Sequence, residues 1–161
     1  MRMLSKLVCI MFFILSGLSI AQAASPNVFE FKVKKTMEQV YTPLYKALED
    51  EGFYVVFEVN IGRNISGFAE KWGENYNRNK LDGIRSMVFC NGWYANAVSN
   101  ADPSMLALCP LSLTLTEKEG STTALFAKPT AIAADSPARK MLERVEQDVI
   151  KAIKQSMTLK K

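Results

Sequence analysis

Histidine is absent from all 161 residues of the sequence. It is the side chain whose charge changes near neutral pH, the usual base of serine and cysteine hydrolases, and a common zinc ligand. Ser-His-Asp catalysis, Cys-His catalysis and histidine-ligated zinc are therefore excluded. The carboxylates offer no clear substitute, because Glu49, Asp50 and Glu51 are consecutive residues at a predicted helix end and point in different directions. We therefore predict a non-enzymatic protein without a cofactor.

Strong charge imbalance and compositional bias are also absent. The chain has 20 basic and 16 acidic residues, a formal net charge of +4, and only 8 glycines and 6 prolines. No basic residues cluster into the contiguous patch that binding to a phosphate backbone requires, so we expect no nucleic-acid partner. With 48% hydrophobic and 22% charged residues, the composition is that of a globular chain with a substantial core.

The first 23 residues have the pattern of a secretory signal peptide. Arg2 and Lys6 precede an apolar run of 14 residues, and small residues at Ala21 and Ala23 favour cleavage between Ala23 and Ala24. The alternative is an uncleaved anchor, but the run is shorter than the about 20 residues that span a bilayer. We expect a periplasmic or secreted protein with no stable membrane anchor after cleavage.

The pattern after the signal peptide predicts one α+β domain over residues 24–161, with its core at about 28–155. Residues 28–34 alternate as a strand, a helix begins at Thr36 with Gln39 completing a capping box, and Gly52 ends it before a strand at 53–59. Pro43 lies inside this helix and is expected to kink it or to delay its start.

The second half of the domain is predicted to contain more strands and a long final helix. A short helix is expected within the irregular region, at 66–72, a strand at 84–90, a short helix at 93–98 and a hairpin closed near 117–120. Ser136 is expected to cap the final helix, whose apolar positions recur at spacings of three and four. This order predicts a mostly antiparallel sheet backed by helices.

Two cysteines remain once the signal peptide and its Cys9 are removed. Cys90 and Cys109 form an even pair in an oxidising compartment, which favours a disulfide, although two buried reduced thiols would also fit the sequence. The alternative function is thiol redox chemistry or metal handling, with Met87 or Met105 as a further copper(I) ligand. Neither cysteine lies in a Cys-x-x-Cys motif or beside a basic residue, so neither is predicted to be catalytic.

Polar and aromatic residues around the irregular region are the candidates for contact with a ligand or a partner. A concave apolar surface on the sheet could be lined by these side chains. The candidates are Asn91, Trp93, Tyr94, Trp72 and Phe68. The leading interpretation is an exported module that binds a small molecule or another protein. Aromatic residues in this setting are, residue by residue, more often part of a core or a dimer interface.

The middle of the chain resembles the family known as domain of unknown function 302. The resemblance rests on Phe89-Cys90-Asn91, on Asp102-Pro103 and on Leu108-Cys109-Pro110, with Gly52-Phe53 opening a strand upstream. Gly92 stands where that family usually has proline, and Cys109-Pro110 reverses its usual Pro-Cys order. The resemblance implies a β-α-β(4)-α architecture like that of the TATA-box-binding protein, often assembled as homodimers. It implies no activity, and a shared fold is no evidence for DNA binding.

Overall fold

The structure, a computed structural model, describes residues 25–159, so the predicted signal peptide and the predicted cleavage site between Ala23 and Ala24 lie outside the described residues. Strands and helices together account for most of this range. The strands are β1 (Val28–Val33), β2 (Tyr54–Val59), β3 (Gly83–Cys90), β4 (Leu111–Lys118) and β5 (Ser121–Ala127). The α-helices are α1 (Met37–Asp50), α2 (Ile61–Ser66), α3 (Ala69–Trp72), α4 (Gly92–Ala101) and α5 (Arg139–Thr158).

The five strands form one sheet in the order β1-β5-β4-β3-β2, and every neighbouring pair is antiparallel. The strands β3, β4 and β5 follow one another directly in the sheet. The strands β1 and β2 are consecutive in the chain but lie at opposite edges, so α1 connects the two edges of the sheet. The predicted α+β class with a mostly antiparallel sheet is confirmed.

The core lies between one face of this sheet and the helices α1 and α5. The alternation within each strand sends one set of apolar side chains to this face. The sheet contributes Met87, Phe89, Leu113, Leu115 and Phe126, all of which are fully buried. Val40, Leu44 and Leu48 of α1 pack onto them, together with Val149 and Ile153 of α5. Burial of each such side chain contributes about 1.5–3 kcal/mol to the stability of the fold.

The helix α1 begins where the capping box predicts. The Thr36 side chain accepts a hydrogen bond from the backbone N–H of Gln39, and the Gln39 side chain accepts one from the backbone N–H of Thr36. The expectation that Pro43 delays the helix is wrong, because the helix runs through Pro43 from Met37. The carbonyl that Pro43 leaves without a helical partner belongs to Gln39, in the exposed first turn, where water can satisfy it. Gly52 follows the helix with φ of 79°, as predicted for its terminator.

Three other helix boundaries differ from the predicted ones. The helix expected at 66–72 is two short helices, the first beginning after Asn60, whose side chain accepts from Arg63 N. The helix expected at 93–98 extends from Gly92 to Ala101. The final helix begins at Arg139, and Ser136 is not its N-cap. The Ser136 hydroxyl instead accepts from Ala138 N and donates to the Asp102 carboxylate at 2.6 Å. Over residues 25–159, no helix combines the length and the apolar character needed to cross a membrane.

Candidate functional site

The two cysteines of the described chain lie in contact. Cys90 ends β3, and Cys109 precedes β4 after a 3-10 segment, Pro103–Leu108. Because β3 and β4 are antiparallel and Phe89 lies opposite Leu111, the residues just beyond this pair meet at the same end of the sheet. The two Sγ atoms are 3.1 Å apart, and both residues are half-buried.

The surroundings of the two sulfurs are apolar. They border a pocket of about 30 Å³, room for about one water molecule. Its lining includes Phe53, Tyr94, Met105, Leu108 and Val145. Burial, followed by the hydrogen bond with Cys90, raises the pKa of the Cys109 thiol to about 11. At neutral pH the Cys109 thiol therefore carries its proton. The pocket beside it is too small for an organic ligand.

The predicted contact residues next to Cys90 hold the start of α4 in place. The Asn91 Oδ1 atom accepts from Tyr94 N and caps the helix. The Tyr94 ring stacks on Phe53 with centroids 5.9 Å apart, and its hydroxyl donates to Asp148 Oδ2 at 2.5 Å. Burial and this carboxylate raise the pKa of Tyr94 to about 12. Asn91 and Tyr94 thus have structural partners within the chain.

The remaining aromatic candidates are at the surface. Trp93 is 63% exposed and lies edge-on against Tyr94. Phe68 and Trp72 stack on each other, with ring centroids 5.1 Å apart, and both are exposed. Neither Phe68 nor Trp72 lines the pocket beside the cysteines. The structure therefore brings Cys90, Cys109, Asn91 and Tyr94 around one pocket, with Trp93 beside it, and places Phe68 and Trp72 elsewhere.

A larger cavity lies between α2, the segment 76–83 and β3, and sequence reasoning did not identify it. It has a volume of about 420 Å³, and we call it the arginine cavity because Arg63 and Arg85 both line it. The other polar residues lining it are Asn60, Ser66, Tyr76, Asn77 and Asp82. Its apolar residues include Met37, Ile65, Leu81 and Ile84.

Arg85 is held at the cavity wall by an aromatic ring. Its guanidinium lies over the ring of Tyr41, 3.6 Å from the centroid, and the Tyr41 hydroxyl donates to Glu58. Burial and the bond to Glu58 raise the pKa of Tyr41 to about 12, although the positive charge of Arg85 acts in the opposite direction. Tyr41 therefore stays a neutral phenol that presents its ring face to the guanidinium.

The two arginines of the cavity have no carboxylate partner within residues 25–159. The ion pairs of this range involve Lys46, Arg139 and Lys151. The one carboxylate that lines the cavity, Asp82, accepts a hydrogen bond from Glu119 N at 2.7 Å. The charged groups lining the cavity are thus two cations and one anion.

Local hydrogen bonds fix the walls of the arginine cavity. Asn77 binds both the N–H and the carbonyl of Leu81, at 2.9 and 2.8 Å, and so closes the turn on one side. Asn60 caps α2 on the other side. A sequence signal for this site did exist, because Arg85 shares the parity of the buried Met87 and Phe89 in a strand that is otherwise apolar on that face.

The geometry supports metal binding less than it supports chemistry by the two thiols or by the two arginines. Within the part of the chain that the structure describes, no three histidine, cysteine, aspartate or glutamate residues come together in an arrangement that could hold an ion. The features that the structure does bring together are two thiols in contact and two arginines that line one cavity.

Comparison with known proteins gives a family and a fold. The family model described as "Domain of unknown function DUF302" matches residues 29–157. A crystal structure of an uncharacterized conserved DUF302 protein from Bacillus stearothermophilus superposes with a TM-score of 0.70 at 18% identity, covering 82% of this chain and 99% of that one. No functionally curated protein matches the sequence significantly. Because the family model matches well over half of the chain, the protein belongs to the DUF302 family.

Proposed function

We propose that the chain is an exported, non-enzymatic binding module for a small organic anion, and that the arginine cavity is its binding site. One observation carries this proposal: two arginines, Arg63 and Arg85, line one cavity, and neither forms an ion pair with a carboxylate among the described residues. A guanidinium binds carboxylate and phosphate oxygens through paired N–H donors, so the cavity is suited to a ligand with such a group.

The size and the lining of the cavity define the ligand further. A volume of about 420 Å³ falls in the range of small-molecule sites, about 300–1,000 Å³. Met37, Ile65 and Ile84 provide apolar contact on the same walls. A ligand that matches both features has one anionic group and a compact apolar body.

The rigidity of Arg85 supports binding at this place. Stacking on Tyr41 restricts the guanidinium, so less side-chain entropy is lost when an anion binds. The Tyr41 hydroxyl is in turn held by its hydrogen bond to the Glu58 carboxylate, which fixes the ring on which the guanidinium lies. Binding, rather than catalysis, fits a cavity whose single carboxylate is engaged by Glu119 N.

Isothermal titration calorimetry at constant ionic strength tests the proposal, with phenyl phosphate, benzoate and inorganic phosphate as probes. We expect phenyl phosphate and benzoate to bind, and inorganic phosphate to bind more weakly because it lacks the apolar body. Arg63→Gln and Arg85→Gln should each weaken binding by roughly 10- to 100-fold, since each removes a charge-assisted hydrogen bond worth about 1.5–3 kcal/mol.

The matched control is Arg144→Gln, because Arg144 is an exposed arginine of α5 that does not line the cavity. It should leave the affinity unchanged. Arg63 is exposed, so its variant separates loss of binding from loss of folding even if the Arg85 variant is unstable. The proposal fails if none of the probes binds in the millimolar range, or if Arg144→Gln weakens binding as much as Arg63→Gln does.

A further inference from the structure

The proposed anion site leaves the thiol pair unused. Cys90 and Cys109 lie at the end of β3 and before β4, they contact each other at 3.1 Å, and neither lines the arginine cavity. The inference that follows is independent of the proposed function. We propose that the two residues form a reversible dithiol–disulfide pair that exchanges electrons with a disulfide of another molecule, with Cys90 reacting first and Cys109 closing the bond.

The geometry favours a bond between these sulfurs. A disulfide has an S–S distance of about 2.05 Å, so the two Sγ atoms need to approach by about 1 Å. Cys109 lies in the connection between the 3-10 segment and β4, outside the regular hydrogen bonding of the sheet. This connection can supply the movement, while Cys90 stays within the last pair of β3 with β2, opposite Tyr54.

Burial of Cys109 and open space beside Cys90 support the order of reaction. Burial keeps the Cys109 thiol protonated at neutral pH, since its pKa is raised to about 11. A protonated thiol is a poor nucleophile, so Cys109 Sγ attacks an external disulfide less readily than an ordinary thiol does. The chain beside Cys90 is also accessible, because a Cβ placed on Gly92 would meet no atom within 4 Å and the neighbouring Trp93 is exposed.

The exchange balances in two steps. In the first, the Cys90 sulfur bonds to one sulfur of the external disulfide, and the other sulfur of that disulfide leaves as a thiol with the Cys90 proton. In the second, the Cys109 sulfur attacks Cys90 Sγ and displaces the second thiol, which takes the Cys109 proton. The protein loses two electrons and two protons, and the external disulfide is reduced to two thiols.

Reaction of the reduced protein with glutathione disulfide, followed by intact-mass spectrometry, tests the proposal. The wild-type protein should lose two hydrogen atoms and retain no glutathione, and dithiothreitol should restore the original mass. Cys109→Ala should accumulate one glutathione adduct, located at Cys90 by peptide mapping. Cys90→Ala should react at least about tenfold more slowly, because burial, the largest cause of the raised pKa of Cys109, is still present in this variant.

Two results would overturn the inference. In the first, the wild-type thiols stay reduced at a large excess of glutathione disulfide. In the second, the wild-type protein keeps a stable glutathione adduct, which would mean that Cys109 does not close the bond. A measurement without variants guards against misfolding: brief alkylation of the reduced wild-type protein should label Cys90 before Cys109, and equal or reversed labelling contradicts the order. Loss of phenyl phosphate binding would contradict the proposed anion site in the arginine cavity and would leave the thiol proposal unaffected.

Discussion

Single polar side chains tie the helix α4 and the segment after it to α5. The Tyr94 hydroxyl donates to Asp148 of α5. The Asp102 carboxylate, just after α4, accepts from Ser104 N and from the Ser136 hydroxyl before α5. The hydroxyls of Ser104 and Ser136 lower the pKa of Asp102, so this carboxylate stabilises the fold above its ordinary pKa, and its contribution is lost as the pH falls through the lowered value.

Removal of the Tyr94 hydroxyl should destabilise the protein. We expect Tyr94→Phe to lower the free energy of unfolding by about 1–2 kcal/mol at pH 7, because a hydrogen bond to a partly buried carboxylate is lost. The pKa of Tyr94 rises from its ordinary 10.0 to about 12, so its contribution is present below pH 10 and is lost as the pH rises towards 12. Urea unfolding at neutral and alkaline pH should show the gap between variant and wild type closing.

Tyr54→Phe is the control for this prediction, since Tyr54 is 62% exposed and lies on the edge strand β2. It should change the stability by less than about 0.5 kcal/mol. An equal loss in both variants would contradict the role given to the bond between Tyr94 and Asp148.

At the scale of elements, the sequence predicts most helices and strands correctly where the periodic pattern of apolar residues is long. The alternation in β1 and the capping box of α1 act within a few residues, so the sequence predicts them directly. Before α5, the Ser136 hydroxyl donates to Asp102, which is far away in the chain. The local sequence does not reveal this partner, so it predicts Ser136 as the N-cap of the helix.

The capping box of α1 should contribute measurably to stability. We expect Thr36→Ala to lower the free energy of unfolding by about 1 kcal/mol, because the N–H of Gln39 loses its acceptor. Thr42→Ala in the same helix is the matched control, since Thr42 is exposed and caps nothing, and it should be neutral or slightly stabilising. Thermal unfolding of both variants measures the difference. Equal melting temperatures would show that the capping box is energetically unimportant.

At the scale of the whole molecule, the helices α1 and α5 both pack on one face of the sheet. The edge strand β2 exposes apolar side chains. Tyr54, Val56 and Phe57 are each more than 60% exposed. Exposed apolar side chains along an edge strand are a typical feature of a surface that meets another protein. Export and homodimerisation remain proposals that rest on the N-terminal pattern, on the family resemblance and on this strand.

Native mass spectrometry of the protein, expressed with its N-terminal segment and purified from the periplasm or medium without reductant, tests both proposals. We expect a chain that begins at Ala24 and a mass equal to two chains. A chain that keeps residues 1–23 would contradict cleavage, and a monomer at micromolar concentration would contradict the homodimer. Tyr54→Ser with Phe57→Ser should shift the balance towards the monomer if β2 lies in the interface.

The sequence by itself determined the secondary-structure order, the buried face of each long element and the absence of histidine chemistry. These properties follow from periodicity and capping, which act over a few residues. Only the tertiary structure decided that Arg63 and Arg85 share a cavity and that Cys90 and Cys109 touch. Both depend on the sheet order β1-β5-β4-β3-β2, which arises from packing α1 and α5 across the whole sheet rather than from any local pattern.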